Sequence, residues 1–294
     1  MASAVGFLFS EKRIDSMKNN LEKTQNVFPT DLHIHTKFSA DSEEEPRAQI
    51  ESAIEKGVSV LCFTDHMDYD FGTEGDTFTF DPASYFQVLQ PLADEYSDDL
   101  KVLIGVEFGM QPHLREKFEK LLKEWPFDYV IGSQHLVFGK DPYYRESFEG
   151  RTDREMIDRW FAEMSESLNV FPDIDALAHI DYIFRYVSDR EKRYPYDTFR
   201  KQIGEILSFL IREGISLEIN TGGFRKMECI PDFHRSLLAH YRELGGFKVV
   251  TGSDAHEAGR VMQDYEILKN LVNDTDFRAF TYYEKRYPKT LHFP

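Results

Sequence analysis

From residue 31 onward, short and nearly continuous apolar runs alternate with longer stretches in which apolar residues recur at helical spacing. The short runs cover 31–35, 58–64, 101–107, 127–133, 174–179, 215–220 and 247–252. They are rich in Val, Ile, Leu and Phe, as strands covered on both faces of a parallel sheet must be. Between them, Pro46 to Lys56 carries apolar Ile50, Ala53 and Ile54 and stops at Gly57, a residue suited to the left-handed turn that ends a helix. Asp81-Pro82 predicts a second helix, with an N-cap and a proline at its first position. Further helices are predicted over 113–124, 153–169, 197–213 and 232–244, the last two closed by Gly214 and Gly245, with a shorter one after Glu257. Residues 1–29 read as an N-terminal extension, polar from Glu11 to Asn26, and residues 30–294 as one domain. Residues 277–294 are left without an assigned element.

Strands alternating with helices predict an α/β fold with a parallel sheet, either open or closed. The ends of the apolar runs choose between the two. They close with His33-Ile34-His35, Asp65-His66, Glu107, His135, His179, Glu218-Ile219-Asn220 and Asp254-Ala255-His256. An open doubly wound sheet binds at one switch point and cannot easily bring seven strand ends together. A barrel collects its functional residues from many strands at the carboxyl face. The pattern therefore predicts a seven-stranded barrel with one shared site at that face.

Bulk properties narrow the function classes. A formal charge of −17 argues against a nucleic-acid surface, which needs a basic patch. Cys62 and Cys229 are the only cysteines, which excludes a disulfide framework and a Cys-x-x-Cys zinc site. The apolar patch from Ala4 to Phe9 has no basic residues before it, and no run reaches the roughly 20 apolar residues of a spanning helix. A soluble, cytoplasmic protein with no membrane partner is expected; oligomeric state is not legible.

Taken singly, each histidine is an ordinary core or surface imidazole. As an ordered set at strand ends, six of the ten (His33, His35, His66, His135, His179 and His256) call for metal ligation by imidazole and carboxylate, which suits Zn, Mn or Fe. His33 and His35, two apart on a strand, project from one face. Asp65 is expected to hold a ligand histidine rather than bind metal, as is Asp181, and Glu218 to orient its neighbours. His113, His234, His240 and His292 are assigned to helix surfaces or the tail. Phe78, Phe80, Tyr85 and Phe86 are assigned to packing.

The order of these motifs resembles the PHP family, named for its polymerase-associated and histidinol-phosphatase members. The resemblance covers about residues 30–260 and rests on Asp31-Leu-His-Ile-His-Thr36, Phe63-Thr-Asp-His66, Gly105-Val-Glu-Phe-Gly109, Ser133-Gln-His135, Ala178-His-Ile-Asp181 and Gly252-Ser-Asp-Ala-His256. It implies a distorted (β/α)7 TIM-like barrel with two to three divalent metal ions at the carboxyl ends of the strands. One ion would take His33, His35, Glu107 and Asp254. Its neighbour would share Glu107 and take His135 and His179, and a third would take Asp41, His66 and His256. Several relatives carry histidine where this chain has Asp41, so at the third site this chain departs from their pattern.

Such a cluster suits hydrolysis of a small anionic phosphate ester by a bridging hydroxide, since phosphoryl transfer asks chiefly for positioning and charge neutralisation. Asp254 or His256 would position or supply the proton for the leaving alkoxide. The segments His179 to Tyr186 and Glu218 to Arg225 resemble the histidinol-phosphatase branch, implying hydrolysis of L-histidinol phosphate in histidine biosynthesis. Arg185 and Arg225 are candidates for gripping phosphate, because a guanidinium fork matches its oxygens. Tyr186 and Asn220 are further substrate candidates, and Arg145 a weaker one. Another phosphate ester or diester, or an inactive metal-binding scaffold, are the alternatives.

Overall fold

A computed structural model describes residues 30–72, 77–187, 195–224 and 230–292. The expected extension 1–29 lies outside them, as does Arg225. The strands are β1 (Thr30–Ile34), β2 (Val60–Phe63), β3 (His66–Tyr69), β4 (Thr77–Phe78), β5 (Lys101–Gly109), β6 (Tyr129–Ser133), β7 (Ala176–Leu177), β8 (Ser216–Asn220), β9 (Val249–Gly252), β10 (Ala279–Glu284) and β11 (Tyr287–His292). Seven of them form a parallel sheet in the order β1-β2-β5-β6-β7-β8-β9. The sheet nearly closes where β1 meets the chain beyond β9. There His35 N–H donates to Ala255 O at 2.8 Å and Asp254 N–H to His33 O at 2.8 Å.

The helices fill the crossovers as the periodicity predicts: α1 (Pro46–Glu55), α2 (Pro82–Glu95), α3 (Arg115–Glu124), α4 (Asp153–Val170), α5 (Arg200–Glu213), α6 (Ile230–Glu243) and α7 (Tyr265–Asp274). Asp81 caps α2 by accepting the Ser84 N–H at 3.0 Å. Gly57, Gly214 and Gly245 have φ of +76°, +75° and +91°, the conformation their type was expected to provide. A capping box between Thr152 and Glu155 starts α4, whose fully buried Trp160 donates to Ile180 O at 3.2 Å.

Two packing layers result. One joins the helices to the outer face of the sheet. The other, inside the barrel, includes Leu32, Cys62, Leu103, Tyr129, Ile131, Ala176, Ala178 and Val250. Side chains thus fill the barrel's lower part, as in other barrels of this class.

Two local departures from regular strands set up the upper part. The β1–β2 register shifts between Asp31 and Ile34, an irregularity of the kind that re-aims side chains. The second strand breaks at Thr64-Asp65 and resumes as β3, which pairs with the upper half of β5 and places His66 opposite Glu107. At the other end, β10 and β11 form an antiparallel hairpin that the apolar pattern did not predict. Among the described residues no helix is long and apolar enough to cross a membrane.

Candidate metal centre

Glu107, at the top of β5, sits in the middle of the imidazoles. Its Oε2 lies 3.3 Å from His33 Nε2, 3.5 Å from His35 Nε2 and 3.0 Å from His66 Nδ1. Its Oε1 lies 3.2 Å from His135 Nε2 and 3.0 Å from His179 Nε2. One carboxylate therefore faces two groups of nitrogens, one through each oxygen. Asp254 closes the first group, its Oδ1 3.7 Å from His33 Nε2 and 3.4 Å from His35 Nε2. Asp41, on the loop after β1, lies 3.0 Å from His256 Nε2 and 3.7 Å from His66 Nε2. All nine expected ligands converge on one barrel mouth. His33, His35 and Glu107 are fully buried; Asp41 is half-exposed at the rim.

The far ring nitrogens are held from behind. His33 Nδ1 meets Glu218 Oε1 at 2.7 Å, His35 Nδ1 meets Ser39 Oγ at 3.0 Å, His135 Nδ1 meets Asp68 at 3.0 Å, and His256 Nδ1 meets Asp254 O at 3.0 Å. A ring whose Nδ1–H donates to an acceptor presents the Nε2 lone pair on its other side. Four rings thus present Nε2 to the same small volume. Within it, Glu107 Oε2, His66 Nδ1 and His256 Nε2 are buried and make no well-aligned hydrogen bond despite carboxylate–imidazole separations of 3.0 Å, although buried polar atoms are almost always satisfied. Divalent ions fit this donor set of imidazole and carboxylate.

Electrostatics point the same way. Burial raises the cost of charge on every group here, yet the Glu107, Glu218 and Asp254 carboxylates outweigh it and hold the His33 pKa well above its ordinary value. Burial likewise opposes ionised Glu107, but the surrounding imidazolium charges keep its pKa well below the usual range. His35 is the exception, pushed down to about 3 by burial and by the neighbouring His256 and His66 charges. A cluster that recruits protons to balance its carboxylates is one that cations can occupy.

Behind the cluster, Asp65 accepts from Thr36 N–H at 2.7 Å and Ser39 Oγ at 2.8 Å, so it fixes the loop that carries the partner of His35. Glu218 also accepts the His179 N–H at 3.0 Å. Glu218 agrees with the orienting role expected of it, whereas Asp65, expected to hold a ligand histidine, holds Ser39 instead, and Asp181, expected to do the same, pairs with His234. Asp68 was missed. It lies 3.3 Å from His66 Nδ1 as well as holding His135, and a Cβ built on Gly109 would sit 1.4 Å from its Oδ1. Only glycine at position 109 leaves room for this carboxylate. The signal was the spacing: His66 and Asp68, two apart on a strand, share a face. Asp254 and His179 adopt φ of +56° and +21°, uncommon for non-glycine residues and of the sort found at functional sites.

The mouth opens into a cavity of about 470 Å³ lined by His66, His135, His179, Arg185, Tyr186 and Asp254, among others. Arg185 is buried, with Nη1 3.5 Å from Asp254 Oδ2 and Nη2 donating to Asn220 Oδ1 at 3.1 Å. Among the described residues its Nε has no hydrogen-bond partner. Asn220 stands one step back from the cavity. Its side chain is spent on Arg185, on the Gly222 N–H at 2.9 Å and on Glu218 Oε2 at 3.2 Å. Arg145 is exposed and donates to Tyr186 O at 3.2 Å, away from the lining.

Three further expectations need correction. His234 and His240 are buried rather than on helix surfaces: His234 Nε2 meets Asp181 Oδ1 at 3.3 Å, and His240 Nδ1 meets Tyr196 Oη at 2.8 Å. Each found a polar partner from another element, which makes an interior imidazole tolerable. Phe78 does more than pack. It lines the cavity and sits edge-on to His66, ring centroids 5.1 Å apart. His113, by contrast, is exposed as expected and pairs with Asp70 at 3.0 Å.

Comparison with known proteins places these observations. The PHP domain profile matches residues 31–222. A relative from Clostridium acetobutylicum, named probable histidinol-phosphatase, is 31% identical over 259 residues, covering 88% of this chain and 98% of that protein. The histidinol-phosphatase of Lactococcus lactis is 31% identical over 252 residues, covering 84% of this chain and 91% of its own length. A crystal structure of histidinol phosphate phosphatase from Lactococcus lactis, in complex with zinc, L-histidinol and phosphate, superposes with a TM-score of 0.83 at 29% identity, covering 89% of this chain and 98% of that one.

Proposed function

The chain belongs to the PHP domain family, and from that premise we propose that it is a metal-dependent histidinol-phosphatase, hydrolysing L-histidinol phosphate to L-histidinol and inorganic phosphate. The observation that carries this reading is the set of Nε2 atoms turned toward the two oxygens of Glu107 by acceptors behind them. His33, His35, Glu107 and Asp254 would hold one divalent ion, Glu107, His135 and His179 a second, and Asp41, His66 and His256 a third. Zinc, manganese or iron would suit these donors.

When bound, such ions supply Lewis acidity and neutralise the charge of a phosphoryl group. The protein supplies position. Glu107 would serve both of the first two sites, one through each carboxylate oxygen. Arg185 is aimed into the cavity from a buried setting, its guanidinium held by Asn220 and Asp254, and its free donors meet the phosphoryl oxygens. Asp254 and His256 stand at the cavity face, within reach of the leaving alkoxide that needs a proton.

Purified protein loaded with zinc or manganese should hydrolyse L-histidinol phosphate far faster than p-nitrophenyl phosphate, with chelation abolishing and metal restoring both activities. Equal, slow rates on the two esters would remove the substrate reading. Less than one equivalent of metal per chain after loading would remove the metal reading.

A further inference from the structure

Among the described residues, five carboxylates line the cavity: Asp41, Asp68, Asp141, Asp254 and Glu257. Four of them face a cationic or proton-carrying partner. Asp41 is 3.0 Å from His256, Asp68 is 3.0 Å from His135, Asp254 is 3.5 Å from Arg185 and Glu257 is 3.6 Å from Arg260. Asp141 differs. It is half-buried, its Oδ1 accepts the Tyr143 N–H at 2.8 Å, and no Lys, Arg or His of the described residues comes within ion-pair distance. Burial raises its pKa, against the Tyr143 N–H hydrogen bond and the charge of the nearby His135.

Around it the wall is aromatic. Tyr182 and Tyr186 stand edge to face at 5.0 Å between centroids, and Tyr143 packs on Tyr186 at 6.0 Å; all three line the cavity. Tyr182 is stacked on Trp160 at 5.8 Å and already carries the Arg185 guanidinium over its ring, Cζ 5.1 Å from the centroid, so Tyr143 and Tyr186 are the rings left to flank Asp141. Aromatic rings beside a carboxylate without a cationic partner are the chemistry that recognises an organic cation. The imidazoles and Arg185, the chemistry that recognises an anion, adjoin this wall, with His179 and His135 5.2 and 6.0 Å from the Tyr182 ring.

We propose that Asp141, with Tyr143 and Tyr186, forms a subsite for a cationic group on the alcohol half of the phosphate ester. Phosphate is then drawn to the histidine cluster and Arg185, and a positive charge to Asp141 beside them. This inference rests on the phosphomonoesterase reading of the cavity and adds how the alcohol is chosen. A charge-assisted contact of this kind discriminates about tenfold or more between a charged ester and its neutral counterpart.

The test compares kcat/KM within pairs of esters for the metal-loaded wild type and Asp141→Asn. Asparagine keeps an oxygen for the Tyr143 N–H, so the loop retains its anchor while the charge is lost. L-histidinol phosphate is paired with its des-amino analogue, which reports on an ammonium, and with L-phenylalaninol phosphate, which reports on the imidazole. Phosphoethanolamine paired with ethyl phosphate samples other alcohols. The wild type should favour the charged member of at least one pair by about tenfold or more, and the variant should lose that preference through KM. A variant that keeps the wild-type preference, or loses activity equally on both members, overturns the subsite. If the wild type ignores L-histidinol phosphate but shows a preference for phosphoethanolamine that the variant loses, the substrate reading falls and the subsite stands. If the wild type is fast on L-histidinol phosphate and the variant keeps the preference, the reverse holds.

Discussion

The two ends of the barrel are built on opposite principles. At the carboxyl end, polar groups are crowded, several are buried without partners, and backbone at Asp254 takes an uncommon conformation. At the amino end most prominent polar groups of the described residues are matched, the buried Tyr129 hydroxyl being an exception. There the β10–β11 hairpin inserts Tyr283, which stacks on Tyr129 at 5.4 Å and shares a hydrogen bond of 2.8 Å with Ser216. Arg286 bridges Asp175 and Asp173, and the Lys285 N–H donates to Asp128 Oδ1 at 3.0 Å. One end holds unmet electrostatic demand that a ligand can satisfy; the other is sealed. Such a division lets chemistry and stability be altered separately, in keeping with the separation of the two faces in barrels generally.

The contrast can be tested by striking each end in turn. Glu107→Gln removes the carboxylate shared by two nitrogen groups. Several kcal/mol of charge stabilisation, about a thousandfold in kcat/KM, should go with it, while metal content drops and the fold survives. Loss of activity with full metal content would show that Glu107 is not a ligand. Tyr283→Ala should do the reverse, lowering stability by about 3–5 kcal/mol in a denaturant titration with little change in kcat per folded molecule. An equal loss of metal would show that the ends are coupled.

A smaller effect is expected from Gly109→Ala, whose methyl would displace Asp68 from His135. Metal affinity should weaken about 10–100-fold, read by competition with a chelating dye. Unchanged affinity would mean that Asp68 is dispensable. Least dramatic is the pH response. Burial opposes charge on His135, but Asp68 and Glu107 raise its pKa to about 10 in the metal-free site. Its ligand nitrogen is then protonated below that value, so metal binding should release protons and tighten as pH rises through 7 to 9. Calorimetry in buffers of different ionisation enthalpy would detect the release, and a pH-independent affinity would contradict it.

Much of the carboxyl end was legible in sequence because its chemistry follows the strand pattern: every expected ligand but the loop residue Asp41 closes an apolar run, and run order is strand order. The amino end was not. A two-residue hairpin turn with positive φ at both positions is normally written with Asn-Gly or Asp-Gly, whereas here Lys285 and Arg286 occupy it with φ of +51° and +66°. Their contacts with Asp128, Asp173 and Asp175 offset an unfavourable conformation, and those partners lie more than a hundred residues away. Burial of His234 and His240 was hidden for the same reason, since Asp181 and Tyr196 come from other elements. Asp68 carried a spacing signal, but the space made by Gly109 is visible only in three dimensions.

The seam between β1 and β9 also bears on how the chain matures. Thr30 and Thr251 share a hydrogen bond of 2.9 Å across 221 residues, and the same seam brings His33 and His35 to Asp254 and His256. Contacts of such separation are among the slowest to form, because most of the chain must be ordered before they add stability. An emerging polypeptide that has not yet made β9 lacks part of the first and third ligand groups, whereas Glu107, His135 and His179 are already available. Any ion held by residues from both sides of the seam would therefore act as a clasp, bound only once the barrel is complete.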